Sequence, residues 1–185
     1  MFENFKRIGE EIYVYENFLS KEESNNIVDI LEKINEEEWI KENNFSRTEP
    51  LSEIIKLRNR INTMIPEGLY LGKASTATRL VKGNFWGEHS DIHDFTEAEN
   101  LSKLYVEGTP YKELELSIYG LVVYLNKFEG GEIYYPTQNI IYAPNQGDMV
   151  IHSALPIALH GVKPVISEKR YSYSNHIYKK VKVPA

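Results

Sequence analysis

The sequence predicts an α+β chain that is mainly β: a β-sandwich or jelly roll with N-terminal helices on one face. Two observations carry this expectation. Helical periodicity is confined to the first 69 residues, and from Tyr70 onward most of the chain consists of short β-branched and aromatic runs separated by turns. A length of 185 residues suits one domain (1–185), with an N-terminal strand and supporting helices (1–69) followed by a jelly-roll core (70–180).

The elements follow in order. Glu11–Leu19, "EIYVYENFL", alternates apolar and polar residues like a strand. Ser20 with Glu23 three residues on forms a capping box, and Ile27, Ile30, Leu31 and Ile34 then recur at helical spacing. A second helix is predicted from Leu51 to about Met64 on Ile54, Leu57, Ile61 and Met64, stopped by Pro66 and Gly68. Strands are predicted at "ASTATRLVKG", "ELSIYGLVVYLN", "EIYYP", "IIYA", "DMVIHS" and "RYSYSNHIY", broken by "EGG", "APNQGD" and "KPVISEK". The segment from Ile92 to Glu115 does not fit that rhythm. It is polar, partly acidic, and carries Gly108 and Pro110, so it reads either as a lid or substrate loop or as a surface insertion.

Composition narrows the function. The absence of cysteine excludes disulfides, thiolate nucleophiles and zinc fingers, so any metal must be held by nitrogen and oxygen. A net charge of −6 argues against a nucleic-acid partner. The N-terminus "MFENFKRIGEE" lacks the pattern of a signal peptide, and no apolar run reaches membrane-spanning length. The expectation is therefore a cytoplasmic protein with no membrane partner.

The stretch "GEHSDIHDF" (87–95) crowds His89, Asp91, His93 and Asp94 into nine residues. Two histidines and one carboxylate on one face of a metal leave the opposite face open for substrate and dioxygen. His89 and Asp91 have the i, i+2 spacing that lets two ligands converge as a strand opens into a loop, and His160, between two later strands, offers a distant third. Taken alone, the pair also reads as a surface turn with a local hydrogen bond, and His160 as a core histidine.

Four ordered segments add a resemblance. "FWGEHSD", "LVVYLNKFEGGEIYYP", "IIYAPNQGDMVIH" and "LHGVKPVISEKRYSYSNHIY" are similar to segments of the iron(II)- and 2-oxoglutarate-dependent dioxygenases, particularly the prolyl 4-hydroxylase-like branch. The likeness runs from about Thr78 to Tyr178, and "YVYENFLSKEESNNIVDIL" resembles that family's usual opening. The resemblance implies a double-stranded β-helix, with His89, Asp91 and His160 as iron ligands. Arg170, ten positions after His160, falls where a basic residue grips the distal carboxylate of 2-oxoglutarate, and Lys169 takes that role if the register slips by one. A guanidinium suits the task, since it can make two parallel hydrogen bonds to a carboxylate and keeps its charge. Tyr124 matches a position whose hydroxyl can bond the same cosubstrate, and reads equally as a packed core aromatic. Phe85 and Trp86 read as pocket lining.

The implied cofactors are Fe(II), 2-oxoglutarate as cosubstrate, and ascorbate. The implied reaction is hydroxylation of a C–H bond, most simply of a peptidyl proline, with dioxygen consumed and succinate and carbon dioxide released. Asp91 favours hydroxylation over halogenation, because related halogenases lack the carboxylate. A free amino acid or other small molecule stays open as substrate, as do a metal-binding jelly roll without oxygenase activity and a zinc hydrolase using the same ligands.

Overall fold

A computed structural model of the chain describes residues 4–91 and 111–184, with residues 111–114 and 182–184 described at the level of the backbone. The expected jelly roll is present: two antiparallel sheets face each other, with helices on the outer side of the larger one. The strands are β1 (Lys6–Gly9), β2 (Ile12–Tyr15), β3 (Ile40–Lys41), β4 (Ser46–Arg47), β5 (Leu69–Leu71), β6 (Thr78–Val81), β7 (Trp86–His89), β8 (Tyr111–Tyr124), β9 (Ile133–Tyr135), β10 (Ile140–Tyr142), β11 (Met149–Ser153), β12 (His160–Val162) and β13 (Lys169–Pro184). The large sheet runs β1-β2-β11-β8-β13-β6-β4-β3, with β5 also paired to β13, and the small sheet runs β10-β9-β12-β7.

Helix α1 (Lys21–Leu31) begins as the sequence requires. The Ser20 hydroxyl accepts from the Glu23 amide, the Glu23 carboxylate accepts from the Ser20 amide, and Ser24, Ile27 and Leu31 are buried. Helix α2 (Ser52–Asn62) has no side-chain cap, so it depends on docking. Eleven residues are marginal as a free helix. Burial of Ile54, Leu57 and Ile61, each at most 4% exposed, contributes ~1.5–3 kcal/mol apiece.

Period-two alternation divides the core. Leu121, Val123 and Leu125 on and just beyond β8, Met149 and Ile151 on β11, and Tyr171, Tyr173 and Ile177 on β13 pack under the helices. Their alternates, including Tyr124, Val150, Arg170, Ser172 and His176, face the space between the sheets. Five short strands, β1, β3, β4, β5 and β12, were not expected from the sequence. The loop boundary also moves: Tyr111 to Glu115 pair with β13 rather than belonging to a loop. The rest of that segment, with His93 and Asp94, lies outside the described residues. Among the described residues no helix is long and apolar enough to cross a membrane.

Candidate metal centre

Pairing of β7 with β12 sets His89 directly across from His160, and the ring centroids are 4.4 Å apart. Asp91 follows two residues after the end of β7. One ligand atom from each of His89, Asp91 and His160 can be chosen so that all lie within 4.8 Å of one another. These are the three residues singled out in the sequence.

The backbone sets the tautomer of both histidines. His89 Nδ1 lies 2.8 Å from the Gly87 carbonyl, and His160 Nδ1 lies 3.1 Å from the Ala158 carbonyl. A carbonyl only accepts, so each Nδ1 carries the proton and each Nε2 is left with a lone pair for a metal. Burial, reinforced by His152, pulls the pKa of His160 down to about 3, so the ring is neutral at neutral pH. Burial alone raises a carboxyl, but at Asp91 hydrogen bonds from His152 and His176 outweigh it, and the group sits well below the usual carboxylate range. His160 and the Asp91 carboxylate are therefore in the protonation states that metal ligands need.

The ligands open into a cavity of about 190 Å³ that also takes in Thr78, Leu80, Tyr124, Ile133 and Arg170. Arg170 is the most informative group there. It is 3% exposed; among the described residues its Nε has no hydrogen-bond partner, and its one side-chain hydrogen bond there is a long one, 3.5 Å from Nη1 to Ser172 Oγ. Its guanidinium carbon lies over the rings of Tyr124 (4.9 Å) and Phe128 (5.3 Å). Among the described residues no carboxylate pairs with it. A buried cation without a counter-charge is costly, and an anion entering the cavity would offset that cost. Tyr124 Oη is buried beside Arg170 and among the described residues makes no hydrogen bond of proper geometry; burial raises its pKa and the guanidinium charge opposes that. Lys169 points outward to Glu32 at the end of α1, which settles which of the two basic residues enters the cavity.

The "EGG" turn explains how Arg170 fits. Gly130 and Gly131 have φ of +68° and +64°, and a Cβ on Gly131 would lie 2.9 Å from Arg170 Cδ. Trp86 lines the cavity as expected, whereas Phe85 is 50% exposed. Sequence reasoning missed His152 and His176, which were read only as strand residues. Their inward-facing positions on β11 and β13 were the available signal. A second cleft, about 750 Å³, adjoins the cavity and shares Thr78, Ser174, Asn175 and His176 with it.

No family model matches the sequence, and no curated protein matches it. Solved structures do match in fold. The viral collagen prolyl hydroxylase of Paramecium bursaria Chlorella virus-1, in its 2-oxoglutarate complex, superposes with a TM-score of 0.67 at 18% identity, over 92% of this chain and 97% of that one. The Pseudomonas putida prolyl-4-hydroxylase gives 0.63 at 12% identity over 91% and 92%. HygX from Streptomyces hygroscopicus, with nickel and 2-oxoglutarate bound, gives 0.60 at 14% identity over 96% and 84%. At these identities the likeness shows a shared fold.

Proposed function

We propose that the chain is an iron(II)- and 2-oxoglutarate-dependent dioxygenase, a single catalytic domain that hydroxylates a C–H bond, with peptidyl proline as its substrate. The observation that carries this is the joint presence, in one cavity, of the His89–Asp91–His160 triad and a buried guanidinium without a carboxylate partner among the described residues. The donor set fits iron(II): two imidazoles and one carboxylate, with no thiolate. The orphaned Arg170 fits the far carboxylate of a dicarboxylate cosubstrate. A zinc hydrolase would leave that arginine without a role.

Each residue then has a task. His89 and His160 present Nε2 lone pairs, and Asp91 supplies negative charge. Arg170 grips the distal carboxylate, and the Tyr124 hydroxyl, buried beside it, donates to the same group. Leu80, Ile133 and Val162 exclude water from the cavity. When bound, iron(II) with 2-oxoglutarate and dioxygen supplies the oxidising power, so that C–H becomes C–OH while 2-oxoglutarate becomes succinate and carbon dioxide.

The fold shared with two prolyl hydroxylases supports a peptidyl substrate, and the adjoining cleft offers room for an extended chain. A small-molecule substrate has its own support, because HygX shares the fold and has been captured with hygromycin B. Succinate formation measured against proline-containing peptides and against free amino acids and aminoglycosides separates the two. A peptide product heavier by one oxygen supports proline hydroxylation. Turnover confined to small molecules refutes it.

A further inference from the structure

Asp91 reaches from the end of the small sheet and rests its carboxylate on the large one. Strands β11, β8 and β13 lie side by side there, and their register sets His152 opposite Gly120 and Gly120 opposite His176. The middle residue of this row has no side chain, and the carboxylate fills the space. A Cβ added at Gly120 would overlap Asp91 Oδ2 and come within 2.6 Å of His152 Nε2. The carboxylate is thus held in a seat with a glycine floor and a histidine on either side.

The two oxygens have different neighbours. Oδ2 lies 3.0 Å from His152 Nε2. Oδ1 lies 3.5 Å from His176 Nε2 and 3.7 Å from His89 Nε2, on the side of the triad. His152 is 1% exposed, and its other nitrogen, Nδ1, is 3.0 Å from the hydroxyl of the fully buried Tyr135. Proton placement follows from what each group can do. A carboxylate oxygen only accepts, so His152 Nε2 bears a hydrogen. With the hydrogen on Nε2, Nδ1 is the ring's acceptor, and the Tyr135 hydroxyl donates to it. The chain from Tyr135 through His152 to Asp91 runs in one direction and leaves no buried donor idle. With both nitrogens engaged, His152 is not free to serve as a fourth ligand.

We propose that His152, oriented by Tyr135 and seated beside Gly120, is a positioning residue that occupies Asp91 Oδ2, so that the carboxylate binds metal through Oδ1 alone and the open coordination positions stay open. This rests on the metal-centre reading above. Outer partners of metal ligands act by fixing ligand orientation, and their loss weakens metal binding ~10–100-fold.

The test compares two substitutions in the full-length protein. The side-chain amide nitrogen of His152→Gln falls near the place of Nε2 and can still donate to Asp91, whereas that of His152→Asn is too short to reach. Mn(II) affinity by calorimetry, Co(II) absorption spectra and the melting temperature of the metal-free protein are measured for each. His152→Gln keeps near wild-type affinity and the wild-type Co(II) spectrum. His152→Asn binds Mn(II) at least ~10-fold more weakly, with shifted Co(II) bands and a metal-free melting temperature matching that of the Gln variant. Equal affinities and spectra in the two variants overturn the inference while leaving the metal centre standing. Wild-type protein that binds neither metal overturns the metal centre, and the inference with it. Should the Asn variant fail to fold, Tyr135→Phe decides, since it removes the donor that orients His152. Unchanged affinity and spectrum in that variant overturn the proposal.

Discussion

Replacing Arg170 with methionine is expected to make the ligand-free protein more stable and to abolish tight binding of 2-oxoglutarate. These effects have opposite signs and one origin. In the ligand-free cavity the guanidinium is 3% exposed with no counter-charge among the described residues, and such a desolvated ion costs several kcal/mol. Stacking over Tyr124 and Phe128 returns ~1–2 kcal/mol from each ring, leaving a net cost on the order of 1–2 kcal/mol. Methionine keeps an unbranched stem beside Gly131 and carries no charge. The melting temperature of the ligand-free variant should rise by ~2–8 °C for a chain of this size. Loss of the charge-assisted contact should weaken 2-oxoglutarate by ~2–5 kcal/mol, roughly 30- to 5,000-fold in Kd. Thermal denaturation and calorimetric titration in the presence of Mn(II) read both effects. A ligand-free variant less stable than wild type, or 2-oxoglutarate affinity unchanged, would refute the idea that Arg170 is an uncompensated buried charge awaiting an anion.

Three further outcomes follow from other parts of the fold. Gly131→Ala should destabilise the protein by ~1–3 kcal/mol and raise the KM for 2-oxoglutarate, because φ is +64° and the new Cβ presses on Arg170 Cδ; denaturant melts and initial rates check this. Ser20→Ala removes one half of the capping box and should cost ~1 kcal/mol, read as a lower urea midpoint with no change in slope. Burial pushes the hydroxyl of Tyr173 up to about 12, above its unfolded value near 10. The folded state therefore holds more protons than the unfolded state between those pH values, and stability is full below pH 10 and lost as pH rises through 12. Tyr173→Phe should lessen the alkaline loss of stability by up to ~1.4 kcal/mol per pH unit, measured by urea melts from pH 9 to 11.

What was legible in the sequence is what local chemistry determines. Ser20, Glu23 and the spacing of Ile27 and Leu31 mark α1 because caps and periodicity act within a few residues. The jelly-roll class was legible because apolar alternation and turn residues recur along the second half. The brief strands β3 and β4, two residues each, were not, since such short pairs exist only because β6 is there to receive them. Spacing made His89, Asp91 and His160 candidates, the family resemblance selected them and added Arg170, and the structure brings all four to one cavity. The seat beneath Asp91 did not stand out. Its members, Gly120, His152 and His176, become neighbours only through the register of three strands, and register is a non-local property. A histidine at an inward position of a buried apolar strand, as in "MVIHS", is the trace that such a seat leaves in a sequence.

The central claim, that one cavity holds a metal on His89, Asp91 and His160 and a dicarboxylate on Arg170, is tested most directly by anaerobic titration of the protein with iron(II) and 2-oxoglutarate. A weak visible charge-transfer band should grow to one equivalent, vanish in His160→Ala, and require much higher 2-oxoglutarate in the Arg170 variant. Well-folded wild-type protein that shows no such band would contradict the account.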